Sequence, residues 1–167
     1  KSGCGKTTFL RCLKPQIRLA GKIEGTVSFA GESIEGMTDE YQAKKIGFVM
    51  QNPEHQIVTD KVWHELAFGL ENFGEKSEYI RAKVAEIAEY FDITSWYNED
   101  TDSLSGGQKQ LLNLAAIMIM SPEVLVLDEP TAQLDPIAAE RFLDILKKIN
   151  ADFGITVIIS EHRLNYV

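Results

Sequence analysis

Positive charge is scarce in this chain: 17 Lys and Arg stand against 25 Asp and Glu, for a net charge of −8. A general nucleic-acid surface needs a basic footprint, so that function class is disfavoured, although one local basic patch stays compatible. Cysteine is scarce too. Cys4 and Cys12 are the two present, which argues against a disulfide framework and fits a reducing compartment. Long apolar runs are missing as well. The longest, "LLNLAAIMIM", is too short to span a bilayer and carries Asn113. There is no internal repeat and no low-complexity tract. No signal peptide is visible, but the chain opens inside a motif, so its own start is expected to be lost and targeting stays open.

What is present is ordinary for a globular domain. Hydrophobic residues make up 44% and charged residues 25% of 167 positions, enough for one domain with a sizeable core. The acid excess concentrates between Glu71 and Asp102, where nine acidic residues face three basic ones. That stretch reads as a solvated helical face, or else as a surface for a basic partner.

"KTTFLRCLK" reads as a helix opened by a glycine loop and stopped before Pro15. "GTVSFAGESI" alternates and turns at Ala30-Gly31, as a hairpin does. Thr38, Asp39 and Glu40 cap and charge a short helix ending in Lys44 and Lys45. "IGFVM" is a buried strand ending at Gln51. Ile80, Val84, Ile87, Ala88 and Phe91 share one helical face. "SGGQKQLLNLAAIMIM" is a further helix, stopped at Ser121-Pro122. "VLVLD" and "ITVIIS" are continuous apolar strands, as in a parallel sheet covered on both faces. Between them, Asp135-Pro136 opens a helix that buries Ala139, Phe142, Leu143, Leu146 and Ile149. The pattern predicts an α/β core over about 1–71 and 122–167, with a helical insertion over about 72–121.

Three stretches carry chemistry. In "GCGKTT", Gly3, Cys4 and Gly5 let backbone N–H groups curl around phosphate oxygens at a helix N-terminus. Lys6 reaches the β- and γ-phosphates, and Thr7 can ligate magnesium, with Thr8 beside it. The plainer reading is a glycine turn before an ordinary helix; Cys4 reads as a loop filler rather than a nucleophile. In "EVLVLDE", a strand ends in Asp128, placed to face a metal, and Glu129 can orient or deprotonate water. Taken alone, that acid pair is equally a polar loop start. In "LSGGQ", Ser105, Gly106, Gly107 and Gln108 open a helix and form a second anion-binding terminus, or simply a Ser N-cap with two loose glycines. One ATP needs a single phosphate-reading terminus. Two of them in one chain are resolved most simply by two domains facing each other, each offering "LSGGQ" to the other's nucleotide.

At this point the chain resembles the ATP-binding-cassette (ABC) ATPases over its whole length and in the family's motif order. "GCGKTT" matches the end of the Walker A loop, Gln51 in "VMQNPE" the Q-loop, and "LSGGQKQ" the signature. "VLVLDEP" matches the Walker B strand with its glutamate, "TAQLDP" the D-loop through Asp135, and "SEHRL" the switch histidine, His162. The resemblance implies a P-loop NTPase core with a mostly parallel sheet, an inserted helical subdomain and truncation at both ends. It implies ATP and Mg2+ as cofactors, with Thr7, Gln51 and Asp128 toward the metal and Glu129, His162 and Gln51 in catalysis. Gln51 would also report to a membrane partner, and His162 would touch the γ-phosphate. Ser105 and Gly107 would bind the γ-phosphate of the opposite site, and Asp135 would link the two halves. The implied partner is a second cassette in a homo-, hetero- or tandem dimer, with no nucleic acid.

More narrowly, "QNPEHQIVTDKVWHELAFGLEN" looks like energy-coupling-factor importers, which take up vitamins or transition-metal ions. "KPQIRLAGKIEGTVSFAG" and "SEHRL" look like the first half of tandem forms. These likenesses imply a transmembrane coupling subunit near Glu54 to Trp63, a substrate-binding membrane protein, and a peripheral place on the cytoplasmic face of the cell membrane. The plainer reading of Glu54 to Trp63 is a helix-capping loop. Against the family's pattern, the first Walker A glycine, the strand leading into it and the adenine-stacking aromatic are missing, and Gln133 stands where a small residue is common. Weak ATP binding is therefore expected of these residues alone. Two other readings compete with an importer ATPase. A soluble translation or DNA-repair ATPase predicts a long coiled coil or a charged linker between cassettes. Lys6 and Ser105 are only 99 positions apart with no heptad run, and no linker is visible. A non-hydrolysing nucleotide-binding domain predicts loss of Glu129 or His162, and both are present.

Overall fold

The computed structural model describes residues 4–161. Helix α1 spans Lys6–Cys12. A hairpin of β1 (Ser28–Phe29) and β2 (Glu32–Ser33) follows. Its two turn residues, Ala30 (φ 51°) and Gly31 (φ 86°), both take the left-handed backbone that a two-residue hairpin turn requires. Helix α2 (Asp39–Lys45) is capped by Thr38, whose hydroxyl accepts from the Tyr41 N–H. It runs into β3 (Ile46–Val49), a fully buried strand. Three helices come next: α3 (Val62–Asn72), α4 (Ser77–Tyr90) and α5 (Gly106–Met118). Strand β4 (Val124–Asp128), helix α6 (Pro136–Phe153) and strand β5 (Thr156–Ser160) complete the described chain.

The strands β3, β4 and β5 form a parallel sheet in that order. Parallel neighbours need crossover connections; α3 to α5 cross from β3 to β4, and α6 crosses from β4 to β5. Alternation along the strands divides the apolar interior in two. Val49, Leu125 and Leu127 point into the larger core, with α3, α4, α5 and α6. Ile46, Phe48 and Val126 point to the other face, with Leu10 of α1 and Ile34. All five α6 positions expected to be internal are buried. The α6 start follows from Asp135, whose carboxylate accepts from the Ile137 and Ala138 N–H groups at 2.9 and 3.0 Å. Pro136 holds the first helical position, and Gly154 (φ 66°) ends the helix.

Helix α3 is the element the sequence pattern did not signal as helix. Its N-cap, Lys61, makes no side-chain cap. Instead the Val62 and Trp63 N–H groups donate to the Glu99 and Tyr97 carbonyls. Between β3 and α3, the chain from Met50 to Lys61 is tied down by side chains. Gln56 accepts from the Met50 N–H and donates to the Phe48 carbonyl. Buried Glu65 accepts from the Val58 and Thr59 N–H groups at 3.1 and 2.9 Å. Among the described residues, no helix is long and apolar enough to cross a membrane.

Candidate active site

The site gathers at the C-terminal ends of β3 and β4, opposite the start of α1. Gly5, the residue before α1, has φ 88° and, as the N-cap, makes no side-chain cap. Left-handed backbone suits glycine there, and the N–H groups at a helix N-terminus are the donors that a phosphate-binding loop uses. Lys6 and Thr7 are half-buried in the first turn, while Cys4 and Thr8 are exposed. From this turn the Lys6 ammonium reaches across to Glu129, with Nζ 3.2 Å from Oε1. The other Glu129 oxygen accepts from Gln51 Nε2 at 3.2 Å. Three residues singled out separately in the sequence thus meet, from the start of α1, the end of β3 and the end of β4.

Asp128 lies at the last position of β4 and is buried. Its Oδ1 accepts a hydrogen bond from Ser160 Oγ at 2.8 Å. Glu129 has φ 45°, a left-handed backbone that costs a non-glycine residue about 1–3 kcal/mol and persists only where its surroundings hold it. Its N–H donates to both the carbonyl and the hydroxyl of Ser160, each at 3.0 Å. Fully buried Thr131 donates from its hydroxyl to Glu161. Neither Ser160 nor Thr131 stands out in the sequence. For Ser160 the one signal is its place at the end of an apolar strand beside the strand that ends in Asp128.

The signature residues form a separate arrangement. Ser105 Oγ accepts from the Gln108 N–H while the Gln108 side chain accepts from the Ser105 N–H, a reciprocal cap on α5. Ser105, Gly107 and Gln108 share a cleft of about 560 Å³ with Asp135 and Arg141 of the neighbouring α6 start. A Cβ built on Gly107 would sit 3.6 Å from that of Ala138, so the two helix starts lie side by side. Gly106 opens α5 with open space around it. The lining of that cleft includes none of Lys6, Gln51, Asp128 and Glu129. The signature and the phosphate loop of one chain are therefore two places, not one. Gly3 and His162 lie outside the described residues.

The donor set fits ATP with magnesium. Magnesium takes one or two carboxylates together with substrate phosphates rather than a cage made wholly of protein. Among the described residues, no group of three His, Cys, Asp or Glu side chains could make such a cage. Among the described residues, the buried Asp128 carboxylate, the Thr7 hydroxyl and the Gln51 side-chain oxygen are hard oxygen donors that suit it.

A parallel sheet with a glycine loop and lysine facing the acidic ends of its strands defines a P-loop nucleoside-triphosphatase core. The sequence pattern of the family described as ABC transporter matches residues 1–132, and the chain belongs to that family. A putative ABC transporter ATP-binding protein of Bacillus cereus is 49% identical over 166 residues, covering 99% of this chain and 30% of its own length. One from Methanosarcina mazei is 39% identical over 99% of this chain and 28% of its own length. One from Pyrococcus horikoshii is 36% identical over 99% of this chain and 59% of its own length. The chain thus spans about 30% of the length of the first of these relatives. Among solved structures, cbiO1 from Clostridium perfringens, part of the ABC transporter complex cbiONQ, superposes with a TM-score of 0.88 at 29% identity. That match covers 100% of this chain and 66% of the other.

Proposed function

We propose that the chain is the ATP-binding and ATP-hydrolysing cassette of an importer of the energy-coupling-factor type, taking up a vitamin or a metal ion. The ATP-hydrolysing part of this reading is carried by the Glu129 carboxylate held between Lys6 and Gln51, directly after the buried Asp128; the likeness to cbiO1 supports the transporter type. Lys6 and the N–H groups opening α1 bind the phosphates of ATP; Thr7 and Asp128 hold the metal. Magnesium, when bound, neutralises phosphate charge and orients the terminal group. Glu129 accepts the proton of the attacking water. Gln51 fixes the Glu129 carboxylate, and His162 contacts the terminal phosphate.

Two cassettes close on two ATP molecules, with Ser105 to Gln108 and Asp135 of each facing the nucleotide of the other. The cleft shared by the signature and the α6 start, apart from the Lys6 cluster, supports this division of labour. The chain divides into a core over 1–71 and 122–167 and a helical subdomain over 72–121. The second cassette completes a homo-, hetero- or tandem dimer; the Bacillus cereus relative is more than three times as long as its match, which leaves room for one on the same polypeptide. A transmembrane coupling subunit docks near Glu54 to Trp63, and a separate membrane protein binds the solute. The cassette itself sits on the cytoplasmic face of the membrane. The complex that holds the cbiO1 neighbour supports a multi-subunit assembly.

The test is Glu129→Gln in the full-length protein, assayed for MgATP binding and phosphate release. Loss of the base slows turnover by about 10²-fold or more, while ATP binding and the ATP-bound closed dimer persist. Unchanged turnover would sink the role given to Glu129.

A further inference from the structure

Ser160 sits where the last residue of β5 pairs in register with Asp128, the last residue of β4. It is 7% exposed. Its hydroxyl makes two bonds with opposite polarity: it donates to Asp128 Oδ1 at 2.8 Å and accepts from the Glu129 N–H at 3.0 Å. A hydroxyl has one proton and two lone pairs. An amide can only donate, so the Ser160 proton is committed to Asp128 and the rotor has a single satisfied setting. This side chain therefore fixes the rotation of the Asp128 carboxylate and, together with the Ser160 main-chain carbonyl, which accepts from the same N–H at 3.0 Å, clamps the backbone that aims Glu129. The clamp falls where Glu129 takes the left-handed φ of 45°, which a non-glycine residue keeps only when held. From that backbone the Glu129 carboxylate reaches both Lys6 and Gln51.

We propose that Ser160 is a positioning residue that sets Asp128 for the metal and Glu129 for water through one hydroxyl. This rests on the ATPase reading above. Groups that orient a metal-binding carboxylate typically matter 10–100-fold for metal affinity or activity. A serine that merely fills space would be replaced by alanine with a change in stability alone.

The experiment uses the full-length protein with Ser160→Ala and Ser160→Thr. A fluorescent ATP analogue reports nucleotide affinity with Mg2+ and with EDTA, and phosphate release gives kcat and KM. In Ser160→Ala the gain in affinity on adding Mg2+ shrinks by about tenfold and kcat falls by about 10–100-fold, while affinity in EDTA stays at the wild-type value. Ser160→Thr, which keeps the hydroxyl, restores both. Should the alanine variant fail to fold, Ser160→Cys preserves volume with a much weaker hydrogen-bonding group and is expected to show the same loss. A wild-type magnesium gain and kcat in the variant lacking the hydroxyl overturns the proposal, as does an equal loss of affinity with and without metal. A wild-type protein that binds no MgATP, or Glu129→Gln with unchanged turnover, instead overturns the ATPase reading itself.

Discussion

The charges around the site are set residue by residue, and Lys14 shows what burial does to one of them. It lies just past the end of α1, and its ammonium donates to the Ile46 carbonyl at 2.6 Å. Among the described residues no carboxylate pairs with it, and burial pushes its pKa down to about 8 from 10.5. A lowered lysine pKa means that the folded state resists the charged form. The full cost, about 3 kcal/mol from that shift, applies below pH 8, where both states are charged. It fades as pH rises toward 10.5, where both are neutral. Wild-type stability relative to Lys14→Met should therefore increase by roughly 2 kcal/mol between pH 8 and pH 10, measured by urea unfolding of both proteins. A difference that stays flat over this range would show that Lys14 is charged and well solvated in the fold. Such an environment is invisible in "RCLKPQ", where Lys14 reads as a helix-ending cation. Lys6, Asp128 and Glu129 drew notice in the sequence because their types and spacing fit phosphate chemistry, and the fold brings Lys6 and Glu129 together. Ser160 drew none, because its role comes from strand register across 32 positions.

Elements were legible where the signal is local. The α6 boundaries follow from Asp135-Pro136 at one end and Gly154 at the other, and β4 follows from an uninterrupted apolar run. Helix α3 escaped because its start is stabilised by the Glu99 and Tyr97 carbonyls, more than thirty residues away in sequence. Its buried face also contains Glu65, which turns back to cap the preceding loop rather than facing water. Gly47 in "KKIGFVM" was passed over in the same way, since its meaning depends on what lies above the sheet. A Cβ there would sit 2.4 Å from Cγ2 of Ile117 on α5 and 3.2 Å from Cδ1 of Leu125. Isoleucine is stiff at χ1 and cannot swing that methyl aside. Gly47→Ala should push α5 off the sheet and destabilise the protein by about 1–3 kcal/mol. Adding Ile117→Ala removes the obstructing methyl, so the double variant should lose less than the sum of the two single ones in chemical denaturation. Additive losses would mean that α5 rides on the sheet without that contact.

Across the whole molecule, the segment after β3 joins two places that otherwise stand apart. At one end Gln51 bonds to Glu129, just past the end of β4. Around it, α5 holds the same segment from the helical side: Asn113 Nδ2 donates to the Pro53 carbonyl at 2.9 Å, Gln110 Nε2 to the Met50 carbonyl at 3.4 Å, and Lys109 pairs with Glu54 at 2.9 Å. A side-chain hydrogen bond from Lys109 holds the Glu54 carboxyl below its usual pKa, but the Glu54 side chain is exposed, and an ion pair with a solvated partner contributes little. The two buried amides are the stronger tether, and they carry a cost. Gln110 and Asn113 are each 1% exposed, and the side-chain carbonyl oxygen of each has no protein partner among the described residues. An unsatisfied buried acceptor costs about 1–3 kcal/mol, against a net gain of about 1 kcal/mol from the hydrogen bond that the same side chain makes. Asn113→Leu removes both terms at similar volume, so global stability should change little or rise. The local consequence is different. The Gln56 and Ile57 N–H groups, which bond to the Pro53 carbonyl, should exchange with deuterium about fivefold faster, as expected when roughly 1 kcal/mol of local anchoring is lost. The amides of β4 and the middle of α5 should keep their wild-type rates. A uniform acceleration across β4, α5 and the segment would instead assign Asn113 to the stability of the core, and the segment would have to be held to the helices by Gln110 and Lys109 alone.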